Sequence, residues 1–157
     1  MWSVSLKEAF TEVHAFEPIA AHRECFEKNV HPDGCRVILY PYALGEKDTF
    51  CSMHTTDGSS GDSWVKGDGD IPVRRLDDFD INPDFIKLDC EGYEYFALKG
   101  GEEMLKRCRP TIIVEQKPGK AQHFGLQETQ AVTYLESLGW KLKDTISGDY
   151  ILAFKTP

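Results

Sequence analysis

Four carboxylates stand where short apolar runs give out. Glu17 follows Val13-His14-Ala15-Phe16, Asp89 and Glu91 follow Ile86-Lys87-Leu88, and Glu115 follows Ile112-Ile113-Val114. In open α/β sheets ligands bind beyond the carboxyl ends of the strands, so acids at those ends are placed to meet one. Glu17 has the most definite chemistry: an acid ending the second strand of a nucleotide-binding half accepts hydrogen bonds from ribose hydroxyls. Asp89 and Glu91 would repel one another, which lifts one carboxyl toward general-base range, and together they would attract a cation. Each acid also has a plainer use, because Asp and Glu stabilise helix N-termini. Three acidic strand ends on one rim favour a ligand.

Other chemistries find less support. A ribose-binding acid normally lies about 20 residues after a glycine-rich turn, yet only residues 1–16 precede Glu17. Gly67-Asp68-Gly69 has the G-x-G spacing but sits in a polar stretch rather than between strand and helix. His22, His31, His54 and His123 are too dispersed to suggest metal ligation, so no metal site is expected. His14, inside an apolar strand, reads as a core or strand-face residue, and Trp64 as a candidate lid anchor. No Ser-His-Asp or Cys-His spacing is present.

The elements that must hold these acids follow from periodicity. Residues 1–10 carry apolar side chains at Trp2, Leu6, Ala9 and Phe10, the pattern of a short amphipathic helix. Strands are expected at residues 13–16, 36–40, 71–74, 85–88 and 111–114, and helices at 19–30, 93–107 and 127–138. Gly100-Gly101 interrupts the second helix and Gly139 stops the third. Residues 140–143 and 150–154 form an antiparallel pair across Ser147-Gly148-Asp149. The turn-rich stretch from Thr55 to Asp62 reads as a long polar loop. Strands alternating with helices predict an α/β fold, a Rossmann-like sandwich on a mostly parallel sheet, as one domain over residues 1–157.

Composition narrows the partners. The 157 residues carry 26 acidic and 18 basic side chains, a net charge of −8, the wrong sign for a nucleic-acid surface. No apolar run reaches the roughly 18 residues a membrane span needs, so no membrane partner is expected. Cys25, Cys35, Cys51, Cys90 and Cys108 make an odd set without a C-x-x-C pair, which reads as free thiols in a cytoplasmic protein.

Taken in order, several segments resemble the FkbM-type methyltransferases. They are Val13-His14-Ala15-Phe16-Glu17-Pro18, Asn29, Ala43-Leu44-Gly45, Leu76-Asp77-Asp78-Phe79, Ile86-Lys87-Leu88-Asp89-Cys90-Glu91-Gly92-Tyr93-Glu94, Leu98-Lys99-Gly100-Gly101 and Arg109-Pro110-Thr111-Ile112-Ile113-Val114-Glu115. Each piece is common, but their order and spacing are specific. The resemblance implies S-adenosylmethionine as cofactor, with Glu17 at its ribose, Tyr42, Ala43 and Leu44 near its adenine, and Asp89 and Glu91 beside its methionine end. It implies transfer to a hydroxyl of a sugar or secondary metabolite, with Asp89 or Glu91 as general base and Glu115 toward the acceptor. Residues 55–69 and 118–126 are expected to line the acceptor pocket.

The family's pattern opens with a central strand and a turn of the form D-x-G-A-N-x-G, and neither is found here. The expectation is therefore an amino-terminally truncated member whose cofactor affinity is weak or nil. Its sheet would have a gap where self-association can occur. The alternative is a non-catalytic remnant serving as a binding or assembly module; a dehydrogenase-like nucleotide binder ranks lower, having no use for Asp89-Cys90-Glu91-Gly92.

Overall fold

The computed structural model describes residues 6, 9–30, 35–56 and 59–154. Most of the helix expected over residues 1–10 lies outside them. A first unit is built from β1 (Glu12–Phe16), α1 (Ala20–Asn29) and β2 (Arg36–Tyr40). The two strands pair in parallel, from Glu12 opposite Arg36 to Phe16 opposite Tyr40. At their carboxyl ends the Phe16 and Tyr40 rings stack at 4.7 Å, and both meet the edge of Phe79 at 5.0 Å.

The middle of the chain departs from expectation. The stretch from Thr55 to Asp62, read as a loop, falls instead in strands: β4 (Thr49–Cys51) is followed by β5 (Met53–Thr56) and β6 (Ser59–Val65), the last two an antiparallel hairpin. Thr, Ser and His satisfy their backbone groups in strands as readily as apolar residues do, so a polar composition concealed the pairing. Trp64, instead of standing free, lies 4.0 Å from the His54 ring across the hairpin and meets His123 edge-on. Nearby, β3 (Ala43–Leu44) runs parallel to β7 (Ile71–Arg74), and β4 runs antiparallel to it. Ala43, Cys51 and Val73 form the small core of this region.

The remainder is β8 (Phe85–Leu88), α2 (Glu94–Lys99), α3 (Glu102–Cys108), β9 (Thr111–Glu115), α4 (Gln130–Ser137), β10 (Trp140–Ile146) and β11 (Asp149–Phe154). Its sheet has the order β10-β11-β9-β8, with β8 and β9 parallel and the last pair antiparallel, as expected. Helices α2 and α3 are separate because Gly100 packs on other backbone: a Cβ there would fall 1.9 Å from the carbonyl oxygen of Gly45. Asp77, in a short 3-10 turn, starts α3 by accepting the N–H of Met104 at 2.8 Å.

The chain is thus α/β, but the described strands do not form the single, mostly parallel sheet expected. They lie in four hydrogen-bonded sheets, with three parallel pairings (β1–β2, β3–β7, β8–β9) against four antiparallel ones. Two causes are visible: the middle segment folds as antiparallel hairpins, and β1 and β8 share no ladder.

Candidate active site

The acids after β8 are presented by a turn with two left-handed residues, Glu91 at φ 51° and Gly92 at φ 100°. Glycine is required at 92 on two counts. It adopts that φ without the cost a side chain meets, and a Cβ would sit 2.5 Å from the Lys120 backbone. Glu91 has no such exemption, so it holds its conformation at a cost of about 1–3 kcal/mol. The turn is braced from within by Glu94, only 1% exposed. Its Oε1 accepts the N–H of Cys90 at 2.8 Å and of Gly92 at 3.0 Å. Gln116 donates to its other oxygen at 3.3 Å and accepts the N–H of Ala131. Burial raises the Glu94 carboxyl above its ordinary range, and the backbone donors pull back against it.

Asp89, Glu91 and Glu115 bring carboxylate oxygens within 4.8 Å of one another. Three carboxylates at that spacing could take a cation, but lysines already share the site. Lys117 Nζ lies 2.8 Å from Glu115 and 3.5 Å from Glu91, and Lys120 Nζ lies 2.9 Å from Glu91. Asp89 is the one left open to the cleft, with protein crowding the rest of its carboxyl. That crowding, a hydrogen bond with Glu115 and the Glu115 charge push it up to about 7. Burial alone would raise Glu115 too, but its bonds to Asp89 and Lys117 and the Lys117 and Lys87 charges hold it below its ordinary value. The two therefore titrate as a pair in which Asp89 is raised and Glu115 lowered. Burial drives the Cys90 thiol far up, so it supplies no thiolate nucleophile.

Beside this turn is a cavity of about 250 Å³. It gathers Glu17 from the end of β1, Tyr42, Ala43 and Leu44 at β3, and Asp89 and Glu91 after β8. The six come from three separate stretches of chain. Glu17 Oε1 also accepts the Ile19 N–H at 2.9 Å in the turn that leads into α1, whose N-cap, Ile19, has no side-chain cap, so Glu17 lines the cleft without capping the helix. Tyr42 is held by the Arg74 guanidinium 5.5 Å over its ring. Glu115 does not line this cavity; it stands behind Asp89.

Several residues at the site escaped the sequence. His22 and Met53 line the cavity, beside Tyr93, whose ring next to the Asp89–Glu91 pair the sequence did suggest. Of the stretches expected to line an acceptor pocket, residues 55–69 contribute Ser63 and Val65, while Lys120 of the second reaches Glu91 instead. Glu94 was visible as a helix-start acid, and only burial shows that it faces inward.

Residues 8–142 match the family model of the methyltransferase FkbM domain, and the chain belongs to that family. The crystal structure of methyltransferase FkbM from Methylobacillus flagellatus KT is similar in fold, with a TM-score of 0.58 and 22% identity. The match covers 93% of this chain and 37% of that one, so this chain spans little more than a third of that protein's length. No curated protein sequence matches it. Among the described residues, no helix is long and apolar enough to cross a membrane.

Proposed function

We propose that this domain is part of an S-adenosylmethionine-dependent O-methyltransferase acting on a hydroxyl of a sugar or a secondary metabolite. The observation that carries the proposal is the meeting of Glu17, Tyr42, Ala43, Leu44, Asp89 and Glu91 on one cavity in a chain of this family. The residues present fit that cofactor. Among the described residues Glu17 commits one carboxylate oxygen to α1 and to His22, which leaves the other for a ribose diol. Tyr42, Ala43 and Leu44 offer an aromatic face and two small apolar side chains for a purine. At about 250 Å³ the cavity is just under the usual range for ligand pockets, room for the nucleoside portion.

When bound, the cofactor supplies a methyl group carried on a positively charged sulfur. The chain's share is positioning and proton removal. With Glu91 and Glu115 partnered by Lys117 and Lys120, Asp89 is the carboxyl open to the acceptor. In its ionised form it would accept the proton of the acceptor hydroxyl, and Glu115 would stabilise the protonated form by the hydrogen bond they share. A base near pH 7 is well matched to that task and is worth about 10²–10⁴ in rate.

Ligand-observed NMR with S-adenosylhomocysteine tests the proposal on the 157-residue chain. Saturable binding is expected, weakened about 10–100-fold by Glu17→Ala, the loss of hydrogen bonds to a charged acceptor. Absence of saturable binding at millimolar ligand, or equal binding by Glu17→Ala, overturns it.

A further inference from the structure

One hydroxyl in the cleft has nothing to pair with. Among the described residues, the Ser63 Oγ on β6 is buried and has no hydrogen-bond partner. Glu91 Oε2 is buried as well, but Lys120 Nζ stands 2.9 Å from it. An unmatched buried hydroxyl costs a free protein stability, and native structures keep few of them. Ser63 lines the same cavity of about 250 Å³ as Glu17 and Asp89. Whatever fills that cavity meets the hydroxyl.

The hairpin decides which way the hydroxyl points. Successive side chains of a strand alternate between its two faces. Met53 and Val65 are opposite one another across β5 and β6, and both line the cavity. Trp64 turns to the other face, against His54 at 4.0 Å and edge-on to His123. Ser63 therefore returns to the cavity face, about 7 Å along the strand from Val65. Met53 and Val65 also pack on the small core of Ala43, Cys51 and Val73. An apolar surface thus runs from Ala43 to Val65, and Ser63 stands at its end. Among the described residues it is the only hydroxyl that β3, β5 and β6 bring to the cavity.

A flat apolar wall ending in one hydrogen-bonding group fits a heteroaromatic ring, whose faces are apolar and whose polar atoms lie at its edge. A sugar carries hydroxyls all round and would leave several unmet against Ala43, Leu44, Met53 and Val65. Both open edges of adenine include its exocyclic amino group, a donor that needs an acceptor. A serine oxygen is one. We infer that Ser63 Oγ accepts a hydrogen bond from the exocyclic amino group of the cofactor's adenine, so that the β5–β6 hairpin holds the base. The assignment rests on the S-adenosylmethionine reading of the cleft, with Glu17 at the ribose and Ser63 at the outer edge of the purine. It also gives the orphaned hydroxyl a purpose: a cost in the free chain is offset when the ligand arrives.

The test is a cycle of two ligands on two proteins, read by ligand-observed NMR on the 157-residue chain. The ligands are S-adenosylhomocysteine and its analogue with hydrogen in place of the exocyclic amino group. Ser63→Ala should weaken S-adenosylhomocysteine about 5–10-fold, the worth of one buried hydrogen bond. It should leave the analogue within about twofold, since that ligand has no group for Ser63 to lose. Glu17→Ala, acting at the ribose, should weaken both ligands alike. Without ligand, Ser63→Ala should melt no lower than wild type, because it removes an unpaired hydroxyl rather than a bond. Equal losses for the two ligands, or no loss for either, overturn the assignment of Ser63 and leave the cofactor reading standing. A ligand-free Tm lowered by more than about 3 °C does the same, by showing that the hydroxyl is already paired. Failure of the wild-type chain to bind S-adenosylhomocysteine overturns the cofactor reading, and the assignment with it.

Discussion

The two sides of the candidate cleft are built to different standards. On the β8 side, Leu98, Leu105, Ile112, Leu135, Trp140 and Leu152 all reach 0% exposure around a four-stranded sheet. On the β1 side, Val13 and Val30 retain 8% and 7%, and α1 has no fully buried residue among those described. The acids Asp89 and Glu91 thus stand on the firm half, while Glu17 stands on the loose one. The less buried wall is the one expected to open first, the usual division between core and low-stability elements.

The contrast breaks most visibly at Trp140. Its indole is fully buried, lies edge-on to Phe154 at 4.9 Å, and donates to the Pro110 carbonyl at 2.9 Å. Trp140→Ala should cost about 3–5 kcal/mol by urea denaturation, from the cavity and the orphaned carbonyl. A loss under 1 kcal/mol would show that the β8 side is not the firm half. Glu94→Ala comes next. It strands the Cys90 and Gly92 N–H groups and the Gln116 amide, an expected loss of about 2–4 kcal/mol. If Glu94 positions the turn, Glu94→Gln should recover much of the stability and the S-adenosylhomocysteine affinity that Glu94→Ala loses.

Val13→Ala sharpens the same contrast from the weak side. Its methyl groups border a cavity of about 440 Å³ between β1 and β8 rather than a packed core, so about 1 kcal/mol is expected by urea denaturation, below the usual large-to-small core penalty. A loss of about 3 kcal/mol or more would show that the β1 side is packed as firmly as the β8 side.

How far the sequence could be read divides along similar lines. Strands Arg36–Tyr40, Ile71–Arg74 and Phe85–Leu88 fall where periodicity places them, because each is an apolar run bounded by turn formers. Glu17, Asp89 and Glu91 were legible because strand ends are legible. What failed depends on pairing. Polar strands between Thr49 and Val65 carry no apolar alternation to announce them, and sheet connectivity is a tertiary fact. Glu94 illustrates the limit: its type and position suit an exposed helix start, and only its inward rotamer makes it the brace of the turn.

The smallest expected effect is the most specific to chemistry. Asp89 is raised from 3.8 to about 7 in the folded chain by burial and by Glu115. A carboxyl raised on folding binds its proton more tightly in the native state. Its contribution is therefore fully present only below about pH 4 and is lost as pH climbs from there to 7, the reverse of a salt-bridged acid. Asp89→Asn removes the ionisation and should raise Tm at pH 8 by about 2–4 °C, what roughly 1 kcal/mol yields at this size after discounting for solvent at an open side chain. At pH 5 only about a third of that gain should remain, since the native carboxyl is then protonated while that of the unfolded chain is already ionised. The same variant should abolish the rise of methyl transfer through pH 7 in any chain that shows it. A stabilisation equal at both pH values would mean that Asp89 is ionised throughout, and the shared proton would have to be placed elsewhere in the cluster.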